Sequence, residues 1–438
     1  MIRPMYKIRH LVACAVLIAV SGTAPAQVLA LSGARIIPCV GPEIADGVLV
    51  VENGKIKAVG PRADIVIPDG AAVVDVTGKV ILPGFVDTHS HVGVPEGGDD
   101  SAPLQPSCRV LDSIDVRDPS VQRAQAGGVT TANVMPGSGL LLSGQTLYLK
   151  LRDGRTIDDL LIFNANGTTA GGIKMANGTN SRRAPPFPGS RAKSAALVRE
   201  QYVKAVAYRD KFRAAAGDAA KLPDRDLGLE ALVEVLDRKR VVHHHTHRHD
   251  DIMTVLRLQK EFGFKVVLHH VSDGWMAAEE IAAAKVGASI ILIDSPGGKL
   301  EAKDLSMTTG AALEKAGATV AIHTDDPITD SRLFNRSAAF AVRGGMSRRR
   351  ALEALTIAGA RMLELDARIG SLEAGKDADF VLWSADPLSL EAKVLETWID
   401  GKKVFDRTDP KDRAFAEGGK GAGSRHVHLD CCFPTEED

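Results

Sequence analysis

From Ala30 to Val80 the chain runs in short apolar stretches, ARIIPCV, GVLVVENGKIKAVG and AAVVDVTG, each closed by turn-forming residues. Runs of this length and alternation predict β-strands. ENGK between two apolar runs predicts a hairpin, because Asn and Gly tolerate the positive φ angles of a two-residue turn. A second set, ADFVLWS and ETWIDGKKVFD, stands near the other end, the latter split by DGK. Patches of this kind at opposite ends of a chain can pair into one small sheet domain.

Between Pro83 and Leu365 the pattern changes to alternating strands and helices. GGVTTANVMPG and GGIKMANG read as strands. KRVVHHHTH leads into the helical stretch DDIMTVLRLQKEFG, FKVVLHHVSDG into WMAAEEIAAAKVG, and ASIILIDS into TTGAALEKAG before the strand ATVAIHTDDP. Repeated strand–helix units imply a parallel sheet, and about eight of them over this length predict an α/β fold of the TIM (β/α)8 type. Chemistry in such barrels sits at the C-terminal ends of the strands. The proline-rich segment TNSRRAPPFPGSRAKS reads as a long polar loop suited to cover that face. The tail 411–438 is Gly-rich and charged, and reads as flexible.

Composition narrows the partners. The 438 residues, 45% hydrophobic and 25% charged, describe an ordinary globular protein with ample apolar material for a core. A formal net charge of −1 argues against nucleic acid or an anionic membrane as the main partner, and leaves a small-molecule substrate. The first residues differ in kind: MIRPMYKIRH is basic, LVACAVLIAV is apolar but too short to span a bilayer, and SGTAPAQ carries an A-x-A-like site. They predict a signal peptide over 1–26, cleaved after Ala26, and an exported protein, periplasmic or secreted, with no stable membrane insertion afterwards. LVAC resembles a lipobox, but most of the apolar run follows Cys14, which argues against lipidation there. Its removal leaves Cys39, Cys108, Cys431 and Cys432, too few for a disulfide scaffold. Oligomeric state, including a homo-oligomer, stays open.

The histidines carry the chemistry. VDTHSHVG places His89 and His91 two apart at the end of an apolar strand, so both imidazoles point the same way. VVHHHTHRHDD puts His243, His245 and His247 on one strand face and His244 on the other, with His249 beyond the strand. VVLHHVSDG adds His269 and His270, and VAIHTDDP adds His323, Asp325 and Asp326. Ten of the thirteen histidines thus lie at or just past predicted C-terminal strand ends, which one barrel would gather. Imidazoles with a carboxylate suit Zn2+, with Mn2+ or another first-row divalent metal also accommodated. Such an ion lowers the pKa of water to ~7, making hydroxide available at neutral pH. The late-strand aspartate would accept and return a proton.

The order and spacing of ILPGFVDTHSH, AGGVTTANVMPGS, IKMANGTN, HTHRHDDI, LHHVSDG, HTDDP and GSLEAGKDADFVLW resemble the amidohydrolase superfamily, in its imidazolonepropionase-like branch, over Ala30 to Asp406. The resemblance implies a TIM barrel over 83–365 and a β-sandwich domain built from 27–82 and 366–410. It implies His89 and His91 as ligands of a buried metal, Asp325 as a further ligand and proton shuttle, His245 and His270 as the ligands of the next two strands, and Lys174 as the position that members with two metals carry carbamylated. Unmodified, Lys174 is a cation that packs in the barrel or meets a substrate carboxylate. His243 or His247 could replace His245, His269 could replace His270, and the count of one or two metals is open. Related branches often have a Glu where this chain has Thr179. Arg182, Arg183 and Arg248 are candidates for a substrate carboxylate, and Asn180 and Gln145 for other substrate contacts.

These features point to a metal-dependent hydrolase of a C–N bond in an amide, cyclic amide or peptide-like molecule, with Asp325 and His270 catalytic. Hydrolysis of an ester or lactone, or metal binding without catalysis, are the alternatives.

Overall fold

The structure is a computed structural model and describes residues 28–93, 98–292, 299–419 and 422. The expected signal segment and the Cys431–Cys432 pair lie outside these residues. Along the chain come β1 (Leu29–Ile36), β2 (Ile44–Glu52), β3 (Lys55–Pro61), β4 (Ala72–Asp75), β5 (Val80–Pro83) and β6 (Phe85–Ser90). Helix α1 (Pro119–Ala126) precedes β7 (Val129–Val134), β8 (Leu142–Gln145), β9 (Leu147–Lys150) and β10 (Ile173–Ala176). Helices α2 (Arg191–Ala214) and α3 (Leu227–Leu236) follow. Then come β11 (Val242–Thr246), α4 (His249–Phe262), β12 (Val266–His270), α5 (Ala278–Ala284), β13 (Gly287–Ile290), α6 (Thr309–Ala316) and β14 (Thr319–Ile322). Last among the described residues come α7 (Phe334–Arg343), α8 (Arg348–Ala354), α9 (Ile357–Met362), β15 (Phe380–Trp383), β16 (Val394–Ile399), β17 (Lys402–Asp406) and α10 (Pro410–Glu417).

Both chain ends share one sheet, in the order β17-β16-β15-β5-β1-β2-β3 with β4 beside β1. The seam is the antiparallel pair β5–β15, where Ile81 faces Leu382. Leu31, Ile36, Leu49, Ile81, Phe380 and Leu382 form its buried cluster. Both hairpin turns take the left-handed conformation their residues allow: Asn53 and Gly54 at φ 53° and 75°, Asp400 and Gly401 at 49° and 70°. The turns also press together. A Cβ at Gly54 would stand 2.9 Å from the Asp400 carbonyl oxygen, so only glycine fits.

The middle of the chain forms a TIM-barrel-like α/β arrangement of two sheets. One has the order β14-β13-β12-β11-β10-β8, parallel from β10 to β14; the other is β6-β7-β9. Every residue of β6, β7, β9, β10, β11 and β12 is buried, as expected of strands covered on both faces. The two sheets are tied at their C-terminal ends. Asp325 N donates to the His89 carbonyl at 2.9 Å, and Thr324 N to Asp87 Oδ1 at 3.1 Å.

Two elements depart from the sequence reading. The tail read as flexible from residue 411 begins instead as α10, with Asp409 accepting from Lys411 N and Pro410 in the first turn, packed beside α1. The expected loop ends at Ser190, which caps α2; RAKS already belongs to that helix. Helix α2 buries only a narrow stripe, Ser194, Val198, Tyr202, Ala205 and Tyr208, so its apolar signal is thin. No described helix is long and apolar enough to cross a membrane.

Lys150, fully buried on β9, fastens the two-ended sheet to the strands that carry the histidines. Its ammonium donates to Asp377 Oδ2 at 2.6 Å and Asp379 Oδ1 at 3.2 Å, and to Asp400. Arg152 takes the other Asp400 oxygen at 2.6 Å, and Lys55 and Arg368 also reach Asp377. Burial opposes the charge on Lys150, but the three carboxylates more than compensate and raise its pKa. Removing one partner of a buried ionic cluster leaves uncompensated charge, at a cost of about 3–5 kcal/mol. Lys150→Met is therefore expected to destabilise the protein by about that amount in urea or thermal unfolding; a change within experimental error would show that the cluster is not what joins the two parts.

Candidate active site

The ends of β6, β10, β11, β12 and β14 converge. His89 and His91 leave the end of β6 with ring centroids 5.2 Å apart. Asp325, just past β14, stands between them: its Oδ1 is 3.1 Å from His89 Nε2 and 3.0 Å from His91 Nε2. His91 Nδ1 meets the Met135 carbonyl at 2.7 Å, fixing the ring. Lys174 points inward from β10, its Nζ 3.0 Å from His89 Nε2 and 3.1 Å from Met135 Sδ.

The histidines of β11 and β12 divide by function of their ring nitrogens. His243 uses both, one with the Tyr148 hydroxyl at 2.8 Å and one with His269 Nε2 at 3.0 Å. His244 faces the helices, in a cleft with Asn177, Ser194, Val198 and Asp251. His245 keeps both ring nitrogens buried without a hydrogen-bond partner, and His247, His270 and His323 each keep Nε2 so. The His245 and His270 rings stand 4.2 Å apart, and His270 lies 4.9 Å from the rings of His89, His247 and His323. Candidate ligand atoms within 4.8 Å of one another fall into three groups: His89, His270 and His323; His245, His247 and His270; His89, His91 and Asp325. An unsatisfied buried polar atom costs ~1–3 kcal/mol, so this many in one place ask for something that binds them. Neutral imidazoles with a carboxylate fit a divalent transition ion.

Electrostatics agree with that donor set. Burial, then the Lys174 ammonium, holds His89 well below the usual imidazole range; burial does the same first for His245, His247, His269 and His270. Burial raises the Asp325 carboxyl, but the facing imidazoles of His89 and His270, with the hydrogen bonds from His89 and His91, hold it well below its ordinary value. Behind the site Asp87, pushed up to about 7 by burial, accepts from the His89 and Thr324 N–H groups. His270, Val271 and Asp325 have φ of 69°, 52° and 53°. Non-glycine residues, a β-branched one above all, adopt this region at a cost of ~1–3 kcal/mol and concentrate it at functional sites.

The remaining sequence candidates are placed differently. Arg248 pairs with its neighbour Asp250 at 2.9 Å, half exposed. Arg182 Nε donates to the Gly178 carbonyl at 3.1 Å, and Arg183 to Asp100 at 2.7 Å. Asn180 is half-buried in the loop after β10. Gln145 sits opposite Ile173, where β10 starts, and donates to the Pro106 carbonyl at 3.4 Å, so it is not gathered with the histidines. β8 runs antiparallel to β10, which carries its last residue away from the C-terminal face. His323, which the sequence placed among the converging imidazoles without an individual role, stands here, and so do Lys299 and Glu301, which the sequence reading did not single out. The period-two HTD just past β14 signalled the first. Glu301 lies beside Thr179, its Oε2 accepting from Thr179 N at 2.6 Å.

The buried imidazoles make stability acid-sensitive. Burial pushes His243 down to about 3, His244 to about 4 and His323 to about 3, from 6.5. Below pH 6.5 the unfolded chain takes up protons that the folded chain refuses, so stability falls with pH, by up to about 1.4 kcal/mol per unit for each group. Urea midpoints of chelator-treated protein should drop continuously from pH 6.5 toward about 4; a flat profile there would contradict neutral burial.

Residues 203–405 match the model of the "Amidohydrolase family". The chain is 29% identical over 394 residues to the amidohydrolase tasK of Hapsidospora irregularis, covering 82% of this chain but only 40% of that protein's length. It is 26% identical over 394 residues to the imidazolonepropionase of Pseudomonas paraeruginosa (strain DSM 24068 / PA7), covering 82% and 91% of the two chains. The crystal structure of an amidohydrolase from Thermotoga maritima MSB8 superposes with a TM-score of 0.80 at 33% identity, over 86% of this chain and all of that one.

Proposed function

The chain belongs to the amidohydrolase superfamily, in its imidazolonepropionase-like branch, and from this premise we propose that it is a metal-dependent hydrolase of C–N bonds in small amides, cyclic amides or peptide-like molecules. The observation that carries this reading is the set of buried ring nitrogens on His245, His247, His270 and His323 that lack hydrogen-bond partners and fall into ligand-spaced groups, one of them sharing His89 with the His89, His91 and Asp325 group. His89, His91 and Asp325 would hold one ion, Zn2+ in the first instance, and His245 and His270 with His247 a second. A divalent ion bound there supplies Lewis acidity, polarising a carbonyl and making water a nucleophile near neutral pH.

The chain's own groups do the rest. The Asp325 carboxylate, ionised and held between two imidazoles, accepts a proton from the attacking water as the C–O bond forms. It returns that proton to the nitrogen as the C–N bond breaks, leaving a carboxylic acid and an amine. His270, neutral and buried, either ligates or donates to the carbonyl oxygen; a nitrogen that ligates cannot also donate, so the two roles need different ring atoms. The arrangement is further read as a closed (β/α)8 barrel carrying a β-sandwich from both chain ends, supported by the hydrogen bonds that tie β6 to the end of β14.

Lys174 supports a two-ion version. Its buried ammonium faces His89 at 3.0 Å, where a cation would repel an ion. Condensation with CO2 would convert it into an anionic oxygen ligand. Native mass spectrometry of protein loaded with zinc in bicarbonate should show the mass of one CO2 above that of the unmodified sequence, an excess absent in Lys174→Ala; no excess in the wild type would exclude a carbamylated Lys174 as ligand.

Asp325→Asn keeps the shape and removes the proton acceptor. It should lower kcat by about 10²–10⁴-fold on an amide that the wild type hydrolyses, with metal content by elemental analysis at least half retained. Undiminished turnover would exclude the role given to Asp325.

A further inference from the structure

The turn Leu300–Ala302 lies across the mouth of the histidine site, and its fastenings show where. On one side Glu301 Oε2 accepts from Thr179 N at 2.6 Å, in the loop after β10. That loop is itself held to β11, since Asn177 N donates to the His245 carbonyl at 3.2 Å. On the other side Trp275 Nε1, in the loop after β12, donates to the Asp304 carbonyl at 3.1 Å. The segment 299–304 therefore spans from β10 to β12, over the end of the strand between them, which carries His245 and His247.

Its side chains alternate. Leu300 is 81% exposed, while Glu301 is buried and the Lys299 ammonium nitrogen is buried too. Lys299 Nζ has no hydrogen-bond partner among the described residues, and neither does Glu301 Oε1. The other Glu301 oxygen is served by Thr179 and, at 3.8 Å, by Arg191, which is shared with Asp251. Gly178 beneath it has the left-handed φ of 83° that favours glycine, and a Cβ there would displace the Glu301 carboxylate. Lys299 lies near enough to His245 and His247, and Glu301 to His247, for their charges to act on those imidazoles. Two opposite charges, each buried and each with an unused hydrogen-bonding position, are costly unless a ligand completes them.

We propose that Lys299 and Glu301 are the specificity-determining residues of this site, and that its substrate is an amide carrying a carboxylate for Lys299 Nζ and an ammonium or N–H donor for Glu301 Oε1. The proposal rests on the hydrolase reading above and names the substrate class it acts on: a small zwitterionic amide. Charge-assisted bonds of this kind are about twice as strong as neutral ones, and they orient the scissile bond toward the imidazoles.

Four probes separate the charges: glycylglycine carries both, N-acetylglycine the carboxylate alone, glycinamide the ammonium alone, and N-acetylglycinamide neither. Calorimetric binding to zinc-loaded full-length protein should rank glycylglycine first, with at least a tenfold loss on removing either charge. Lys299→Met should cost at least tenfold for the two carboxylate probes and spare glycinamide; Glu301→Gln should do the reverse. Equal affinity of all four for the wild type, no binding of any, or an equal loss across all four in either variant would overturn the proposal. The wild-type ranking keeps the test decisive if a variant does not fold. Hydrolysis is scored separately by amine release: charge-dependent binding without any cleavage would leave this assignment standing and remove the hydrolase reading instead.

Discussion

Two protonated imidazoles ~5 Å apart would repel by about 3 kcal/mol at an effective dielectric of ~20. The site holds His89, His245, His247, His270 and His323 at ring separations of 4.2 to 4.9 Å. They can share this volume only because burial keeps them uncharged. The neutral ring is also the form whose lone pair can ligate, so exclusion of water both permits the crowding and prepares the donors. Lys174 and Lys299 reinforce the effect as nearby cations.

That exclusion is produced by the frame. Strands buried on both faces admit no solvent from below, and the Asp87 carboxylate locks the ends of β6 and β14 in register by accepting from the backbone of His89 and Thr324. The left-handed turns at His270, Val271 and Asp325 are held against their local preference by this surrounding structure. Lys150 performs the comparable task at the opposite boundary, where the sheet of both chain ends meets the histidine-bearing strands.

Much of this was legible in the chain because the relevant periods are short. Alternation placed His89 with His91, and His243, His245 and His247 apart from His244, and the structure keeps those faces. ENGK and DGK read correctly as tight turns because φ at their central residues is dictated locally. What was not legible depends on long-range pairing. Whether His243 or His245 keeps a ring nitrogen free for a ligand turns on Tyr148, ninety-five positions away, and His269, which between them occupy both nitrogens of His243. Gln145 looked like a substrate contact, but strand direction, which no local pattern reveals, takes it elsewhere. Lys299 and Glu301 sit in a stretch without periodicity, and what singles them out is one buried atom each, Nζ and Oε1, left without a hydrogen-bond partner, a property of the fold alone. Helix α10 was hidden by the glycines that follow it.

The seam β5–β15 has a temporal meaning. Val80 to Pro83 bond to Phe380 to Trp383, so the edge of the first sheet has no mate until some three hundred further residues have been made. Contacts this distant in sequence form slowly, and an apolar edge left waiting invites wrong partners. The nascent chain must therefore be kept unpaired until its last strands arrive, and the interlocked turns at Gly54 and Gly401 close it like a clasp once they do.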